Sequence, residues 1–203
     1  MQLRKSILIG GALLALTAAP AAAWTGCGLG IGAAAVIGSL DFGAPIDISS
    51  SGQRADVAVS CDMQMGTSPI VVGAFVRYGM FYGDLKTIGV KNELDIGLRA
   101  GALASPSAFV YGHVAGSRMH VDGLGDVNGI KFGPGVEVKL AGSPLYLNLE
   151  YAYGIPDVSE WTSADVRTHE FRVGMAWKFF DRQPKSIFTN ETDPPPPKQR
   201  SPK

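Results

Sequence analysis

The chain alternates strictly between apolar and polar or small side chains from His169 to Phe179. The apolar face carries Phe171, Val173, Met175, Trp177 and Phe179. The opposite face carries Glu170, Arg172, Gly174, Ala176 and Lys178. Strict alternation over this length predicts a β-strand with two chemically distinct sides.

The same alternation recurs along the chain and predicts about eight strands in all. It is clear in Ile70–Tyr82, Val90–Arg99, Ile130–Leu140 and Leu145–Gly154, and weaker in the remaining segments; in Ala108–Ser117 the two faces cannot be assigned. We place the strands near residues 26–36, 55–65, 70–83, 88–100, 107–117, 129–141, 144–155 and 167–180.

The residues that accompany the charges distinguish a membrane barrel from a soluble one. A soluble barrel turns its polar face to water and favours long, solvated side chains there, whereas here the charged residues share their face with Gly and Ala. Small residues between charges suit a narrow interior, and the apolar face must then meet lipid. We therefore predict an all-β fold for residues 24–180, an eight-stranded antiparallel up-and-down transmembrane β-barrel with a filled polar interior.

Charged side chains of both signs point into this predicted interior. Buried charges need partners, so the simplest interpretation is a structural ion-pair network that plugs the barrel. The alternative is a gate or narrow ion path in which such a pair changes partners. The predicted lumen residues are Arg77, Lys91, Glu93, Asp95, Arg99, Lys131, Glu137, Lys139, Glu150, Glu170, Arg172 and Lys178.

The links between strands predict an orientation. Three alternate links are short and contain Ser-Pro, at residues 68–69, 105–106 and 143–144, which indicates tight turns at one rim. The other links are longer and polar, Ile37–Arg54, Arg118–Asn128 and Pro156–Val166, although Asp84–Thr87 is short. Long outer loops and short periplasmic turns are usual, so both termini are expected on the periplasmic side.

The N-terminus has the three parts of a secretory signal peptide. Arg4 and Lys5 precede an uncharged stretch and the small-residue run Ala21–Ala23, so cleavage is expected after residue 23. The apolar part is too short to span a bilayer, which needs roughly 20 residues. The whole chain has 18 Lys and Arg against 18 Asp and Glu, and this balance argues against nucleic acid as a partner.

Three stretches resemble the outer-membrane β-barrel "porin family" of opacity-type and 25–31-kDa surface antigens. They are Trp24-Thr25-Gly26 with the glycine-rich first strand, the segment Gly129–Gly154, and the closing HEFRVGMAWKF. The resemblance implies the outer membrane of a Gram-negative-type cell and contact with its lipid. It also implies biogenesis by periplasmic chaperones and the barrel-assembly machinery. The last strand resembles the signal that this machinery recognises, and the residues concerned are Phe171, Val173, Met175, Trp177, Phe179 and Phe180.

Two functional classes are compatible with such a barrel. One is a structural or surface-interaction protein whose loops meet the environment or a host, and the other is a narrow channel for small solutes or ions. An outer-membrane lipid-modifying enzyme is a third hypothesis, but none of His113, His120 and His169 is followed by Ser in an H-x-S arrangement and G-x-S-x-G is absent. We expect no enzymatic activity and no cofactor.

Cys27 and Cys61 are the only cysteines. Both are expected on the same face of the sheet and at equal distances from the middle of the first hairpin, so they could lie opposite each other. A cross-strand disulfide is therefore possible in the oxidising periplasm. Two unreactive thiols are the alternative, and Trp24-Thr25-Gly26-Cys27 also loosely resembles a lipoprotein signal.

Two polar segments remain. His120, Asp122 and Asp126 could bind a metal, but Gly123 and Gly125 favour an exposed flexible loop, and we expect no metal there. Residues 181–203 contain Pro194–Pro197 and few apolar side chains, which predicts an extended periplasmic tail that could touch peptidoglycan.

Overall fold

A computed structural model describes residues 24–41, 47–87, 89–123, 125–157 and 165–179. The expected signal peptide, the tail and Phe180 lie outside these residues. Nearly all of the described chain is β-strand. The strands are β1 (Gly26–Asp41), β2 (Asp47–Gln64), β3 (Ile70–Gly83), β4 (Val90–Ser105), β5 (Ala108–Val121), β6 (Gly125–Lys139), β7 (Leu145–Pro156) and β8 (Asp165–Phe179).

The eight strands form one closed antiparallel barrel in which each strand pairs with its neighbour in sequence. The sheet closes where β1 pairs with β8, from Cys27 opposite Phe179 to Asp41 opposite Asp165. Among the described strands, closure leaves none at a free edge, which is the condition for a sheet to lie in hydrocarbon. The predicted fold is confirmed.

The barrel has two rims. At the terminal rim, where β1 begins and β8 ends, strands are joined by the turns at residues 65–69, 106–107 and 140–144, each of which contains or adjoins a predicted Ser-Pro pair. At the opposite rim, called the loop rim, β3 and β4 are linked through the short helix α1 (Asp84–Thr87). Within the described residues, no helix is long and apolar enough to cross a membrane.

The predictions of two long loops are wrong. Most of the segment Ile37–Arg54 is strand, with β1 and β2 in register to the pair Asp41 and Asp47. The segment Arg118–Asn128 is also largely paired, leaving only residues 122–124 between β5 and β6. Polar and small residues are frequent at these strand ends, so the regular apolar alternation that marks a strand is interrupted although pairing continues.

The outer surface is an apolar band and the inner surface is polar. Large apolar side chains that face outward are about half exposed, as at Ile31, Val57, Leu98, Ile130 and Trp177. The faces of β5 are now assigned, because Tyr111 is buried while Val110 and Val114 are exposed. Exposing so large an apolar area to water would be unfavourable, whereas an apolar band of this kind suits contact with a bilayer.

Candidate functional site

The interior of the barrel is filled by thirteen buried charged side chains, which we call the charge network. Six are cationic and seven are acidic, all among the described residues and all less than a tenth exposed. Its members are Arg54, Asp56, Asp62, Arg77, Glu93, Asp95, Arg99, Lys131, Glu137, Glu150, Glu170, Arg172 and Lys178.

The part nearest the terminal rim joins four strands. Arg99 donates two hydrogen bonds to Asp62, at 2.8 and 2.6 Å, and a third to Glu137 at 3.0 Å. Lys178 bridges the same two carboxylates, with 2.7 Å between its Nζ and Oδ2 of Asp62. Two cations and two carboxylates therefore neutralise one another across this level of the barrel.

The middle of the charge network is organised by Arg172. Its guanidinium donates to both carboxylate oxygens of Asp56 at 2.6 to 3.1 Å and to Oδ1 of Asn148 at 2.8 Å. Glu150 accepts hydrogen bonds from Arg77 and, at 2.8 Å, from the hydroxyl of Tyr111. A fork-shaped guanidinium can satisfy several oxygens at once, which suits it to a crowded interior.

The part nearest the loop rim is built around Arg54 and Lys131. Arg54 donates to Glu93, to Glu170 and, at 3.2 Å, to Asp95. The Nζ of Lys131 lies 2.6 Å from Glu93, 3.0 Å from Glu170 and 3.5 Å from Asp95. Two cations thus share three carboxylates.

An apolar cluster lies on each side of the charge network. The terminal-side cluster consists of Trp24, Val71, Leu103, Phe109, Tyr111 and Tyr146. The loop-side cluster consists of Ala34, Val36, Phe81, Leu85, Val90, Val121 and Val127, with Met119 packed against it. The buried charges therefore lie between two apolar clusters.

Trp24 anchors the terminal-side cluster. Its backbone N–H donates to Oε1 of Gln64 at 3.1 Å, and its indole N–H donates to the carbonyl of Pro106 at 3.2 Å. The Nζ of Lys178 lies 4.7 Å from the indole ring, within range of a cation–π contact. The first described residue is thus fixed across the mouth of the barrel.

Glycines make room for the long charged side chains. A Cβ on Gly32 would lie 2.5 Å from the guanidinium of Arg172, and one on Gly79 would lie 2.5 Å from Cδ of Arg54. This is the physical reason why glycine and charge alternate on the inner face.

Ten of the twelve predicted lumen residues belong to the charge network. Lys139 is half-buried near the terminal rim, with its Nζ 5.6 Å from the Tyr146 ring. The prediction for Lys91 was wrong, because it is exposed and pairs with Asp122 at 2.7 Å. A register shift between Val90 and Asn92 reverses the faces at the start of β4 and places Val90 inside.

Sequence reasoning missed three charged members of the charge network, all on β2. Arg54 was placed in a loop, and Asp56 and Asp62 were passed over because β2 was among the weaker strands. The alternation of outward Val57, Val59 and Met63 with inward acids is nevertheless visible in the sequence. Tyr111 and His113, both buried, were missed because the faces of β5 could not be assigned.

Cys27 and Cys61 are paired residues of β1 and β2 and are joined by a disulfide, with 4.0 Å between their Cα atoms. Cys61 is exposed on the outer face, beside the apolar band and near the terminal rim. The disulfide therefore fixes the register of the first hairpin from outside the barrel.

The three candidate metal ligands do not converge. Asp122 pairs with Lys91, whereas Asp126 accepts hydrogen bonds from Arg118 and lies 2.9 Å from Nδ1 of His120. This tip projects beyond the apolar band, and the hydrogen bonds from His120 and Arg118 hold the pKa of the Asp126 carboxyl below its usual range. The tip of the β5–β6 hairpin is thus a small, exposed ion-pair cluster.

The predicted assembly signal lies on β8. Phe171, Val173, Met175, Trp177 and Phe179 all face outward and are about half exposed. An apolar outer face on this strand places the residues against lipid next to the seam with β1.

A family model described as "Outer membrane protein beta-barrel domain" matches residues 7–179. Among solved structures, Neisserial surface protein A is similar, with a TM-score of 0.47, 15% identity and coverage of 74% of this chain and 97% of that one. The attachment invasion locus protein of Yersinia pestis has a TM-score of 0.45, 10% identity and coverage of 76% and 99%. No curated protein sequence matches the chain. Because the family model covers most of the sequence, the chain belongs to the outer membrane protein β-barrel domain family.

Proposed function

We propose that this protein is a closed barrel of the outer membrane of a Gram-negative-type cell, with a structural or surface-interaction role and no enzymatic activity. The observation that supports it is the filled lumen, in which the charge network lies between two apolar clusters. The interior of an eight-stranded barrel is narrow enough to be filled largely by its own side chains. The paired cations and carboxylates span the described interior, which supports a barrel that does not conduct.

The loop rim favours a surface role. Arg118, His120 and Asp126 face outward on the β5–β6 hairpin beyond the apolar band, where they form a polar tip of paired charges. Such a tip offers charge of both signs to a partner at the cell surface, which could be a host molecule. The terminal rim, with its short turns, would face the periplasm and peptidoglycan.

His113 and His169 give no support to a lipid-modifying enzyme. His113 packs against the rings of Phe75 and Tyr111, with centroids 6.1 and 6.4 Å apart, inside the barrel. His169 pairs with the hydroxyl of Tyr151 at 2.8 Å on the outer surface. A hydrolase needs a nucleophile, a base and an orienting group within reach of one another, and these two histidines lie on opposite sides of the barrel wall.

A narrow channel is the second candidate, and one observation favours it. Lys131 lies within 3.5 Å of three carboxylates, Glu93, Glu170 and Asp95. A cation that can exchange partners is the element that a gate would need.

Single-channel conductance of the refolded chain 24–203 decides between the two. We expect no reproducible open level from protein that heat-modifiable gel mobility shows to be folded. A reproducible open level that Glu93→Gln or Lys131→Gln abolishes would overturn the closed barrel and favour transport. The lipid-face variant Val114→Leu serves as the control, because its side chain does not contact the lumen.

A complementation assay separates a structural role from a surface role. In cells lacking the gene, the variant with both Arg118→Ser and Asp126→Ser should restore detergent resistance as the wild type does, but should lose attachment to a target cell surface. Loss of both properties with the barrel folded would show that the tip itself supports the envelope.

A further inference from the structure

A cavity of about 200 Å³ lies inside the barrel between the charge network and the loop rim. Its walls come from the loop-side cluster and from neighbouring residues of β7 and β8, and are almost entirely apolar. Glu93 and Lys131 form its floor. Its apolar wall residues include Val36, Phe81, Leu85, Met119, Val121 and Val127.

The charges at the floor are already paired with one another. Lys131 and Glu93 are 2.6 Å apart, and each has a further partner, Glu170 for the lysine and Arg54 for the glutamate. A charged ligand would have to break these ion pairs in a dry environment, which is costly. The floor therefore selects against a charged occupant, and the walls favour an apolar one.

The volume sets the size of the occupant. An apolar cavity of roughly 150 Å³ in another protein stays dry and accepts benzene, whereas drug-sized ligands occupy pockets of about 300 Å³ or more. The cavity here can hold one aromatic ring or a short alkyl chain.

The position of the cavity sets the side of entry. Ser50 and Thr168 line the cavity, are partly exposed, and lie near the loop-rim ends of β2 and β8. On the other side the charge network closes the barrel. A molecule that enters from the loop rim therefore meets a blind pocket and leaves by the way it came.

We propose that this cavity is a binding site for a small, uncharged apolar molecule, captured from the loop rim. The site requires only the closed lumen described above, not a surface partner. It adds ligand capture to a barrel that does not conduct.

Methionine methyl groups provide a direct test. Met119 lines the cavity, whereas Met63, Met80 and Met175 are exposed on the lipid-facing surface. The chain 24–203 is labelled with 13C-methyl methionine, folded into lipid nanodiscs and titrated with toluene, and Met119→Leu assigns the reporter signal. We expect a saturable shift at Met119, and at the lipid-facing methionines only a change that grows linearly as toluene partitions into lipid.

Three controls make the result decisive. Ser117→Leu, which fills the cavity, should remove the saturable shift, while Val114→Leu on the outer face of the same strand should retain it. Benzoate, with the same ring and a charge, should bind at least roughly tenfold more weakly than toluene. A linear response at Met119, a saturable shift that survives Ser117→Leu, or equal binding of benzoate would each overturn the proposal. Conductance of the same folded sample tests the closed lumen separately.

Discussion

Arg54 is the side chain that unites the loop-side half of the charge network. It is 1% exposed and is bonded to Glu93, Asp95 and Glu170, on two other strands. Removing one partner of a buried ion pair leaves uncompensated charge in a medium that cannot solvate it. The stability of the interior thus depends on every buried charge having a partner, more than on any single hydrogen bond.

Arg54→Met should lower the free energy of unfolding by about 3–5 kcal/mol, the usual cost of breaking a buried pair. Urea unfolding in liposomes measures it. Arg118→Met is the matched control, because Arg118 is also paired with a carboxylate but is exposed at the hairpin tip, and it should change stability little. Equal effects from the two substitutions would show that the interior is solvated.

The glycines of the inner face can be tested in the same way. Gly79→Ala would bring a Cβ within 2.5 Å of Arg54 and should destabilise by about 1–3 kcal/mol, as overpacking does. Gly116→Ala, also in a strand, meets nothing within 4 Å and should be neutral. If both were neutral in urea unfolding, Arg54 would have room to move.

At this scale the sequence predicts the chemistry of the interior better than its exact membership. Ten lumen residues follow from alternation alone, because a strand's side-chain period is fixed at two. Lys91 does not follow, because one bulge at Val90 and Asn92 exchanges the two faces. Arg54 does not follow either, because it lies where the outward residues cease to be large and apolar.

The strands are longer than a bilayer requires. A tilted transmembrane strand needs about 9–11 residues, whereas β1 has 16 and β2 has 18. The additional residues of β1, β2, β5 and β6 continue the hairpins beyond the apolar band. Sequence periodicity reports contact with lipid, so it cannot reveal the parts of a strand that stand in water.

The disulfide acts at the scale of the first hairpin. It closes a segment with a sequence separation of 34 residues, and such a link restricts the unfolded chain, typically by about 2–4 kcal/mol. The variant with both Cys27→Ser and Cys61→Ser should lose stability of that order in urea unfolding while keeping its heat-modifiable mobility.

Reductant supplies the control for this prediction. It should destabilise the wild type to the level of the double variant and leave the variant unchanged. A wild type that is insensitive to reductant although its thiols are shown to be free would mean that the paired strands alone maintain the hairpin.

For the whole molecule, the direction of insertion is the property to test. The tip of the β5–β6 hairpin and the turn at residues 140–144 lie at opposite rims. Asp122→Cys should react with a membrane-impermeant maleimide on intact cells, because the loop rim is expected outside. Wild-type cells give a clean background, since the two native cysteines are joined to each other.

Ala141→Cys, an exposed residue of the terminal-rim turn, is the matched control and should react only after the outer membrane is permeabilised. The reverse labelling pattern would show that the barrel is inserted in the opposite direction, with the loop rim in the periplasm. It would also place the mouth of the cavity in the periplasm.

The glycine-and-charge interior has a consequence for how this protein tolerates genetic change. In a water-soluble protein, random substitutions are tolerated mainly at exposed charged positions and are damaging at buried hydrophobic positions. Here a comprehensive substitution map should be inverted: Leu, Ile, Val and Phe should interchange freely on the outside, while each acid, base or glycine within would accept almost nothing else. Sequence divergence among homologues would then concentrate at the outward-facing hydrophobic positions.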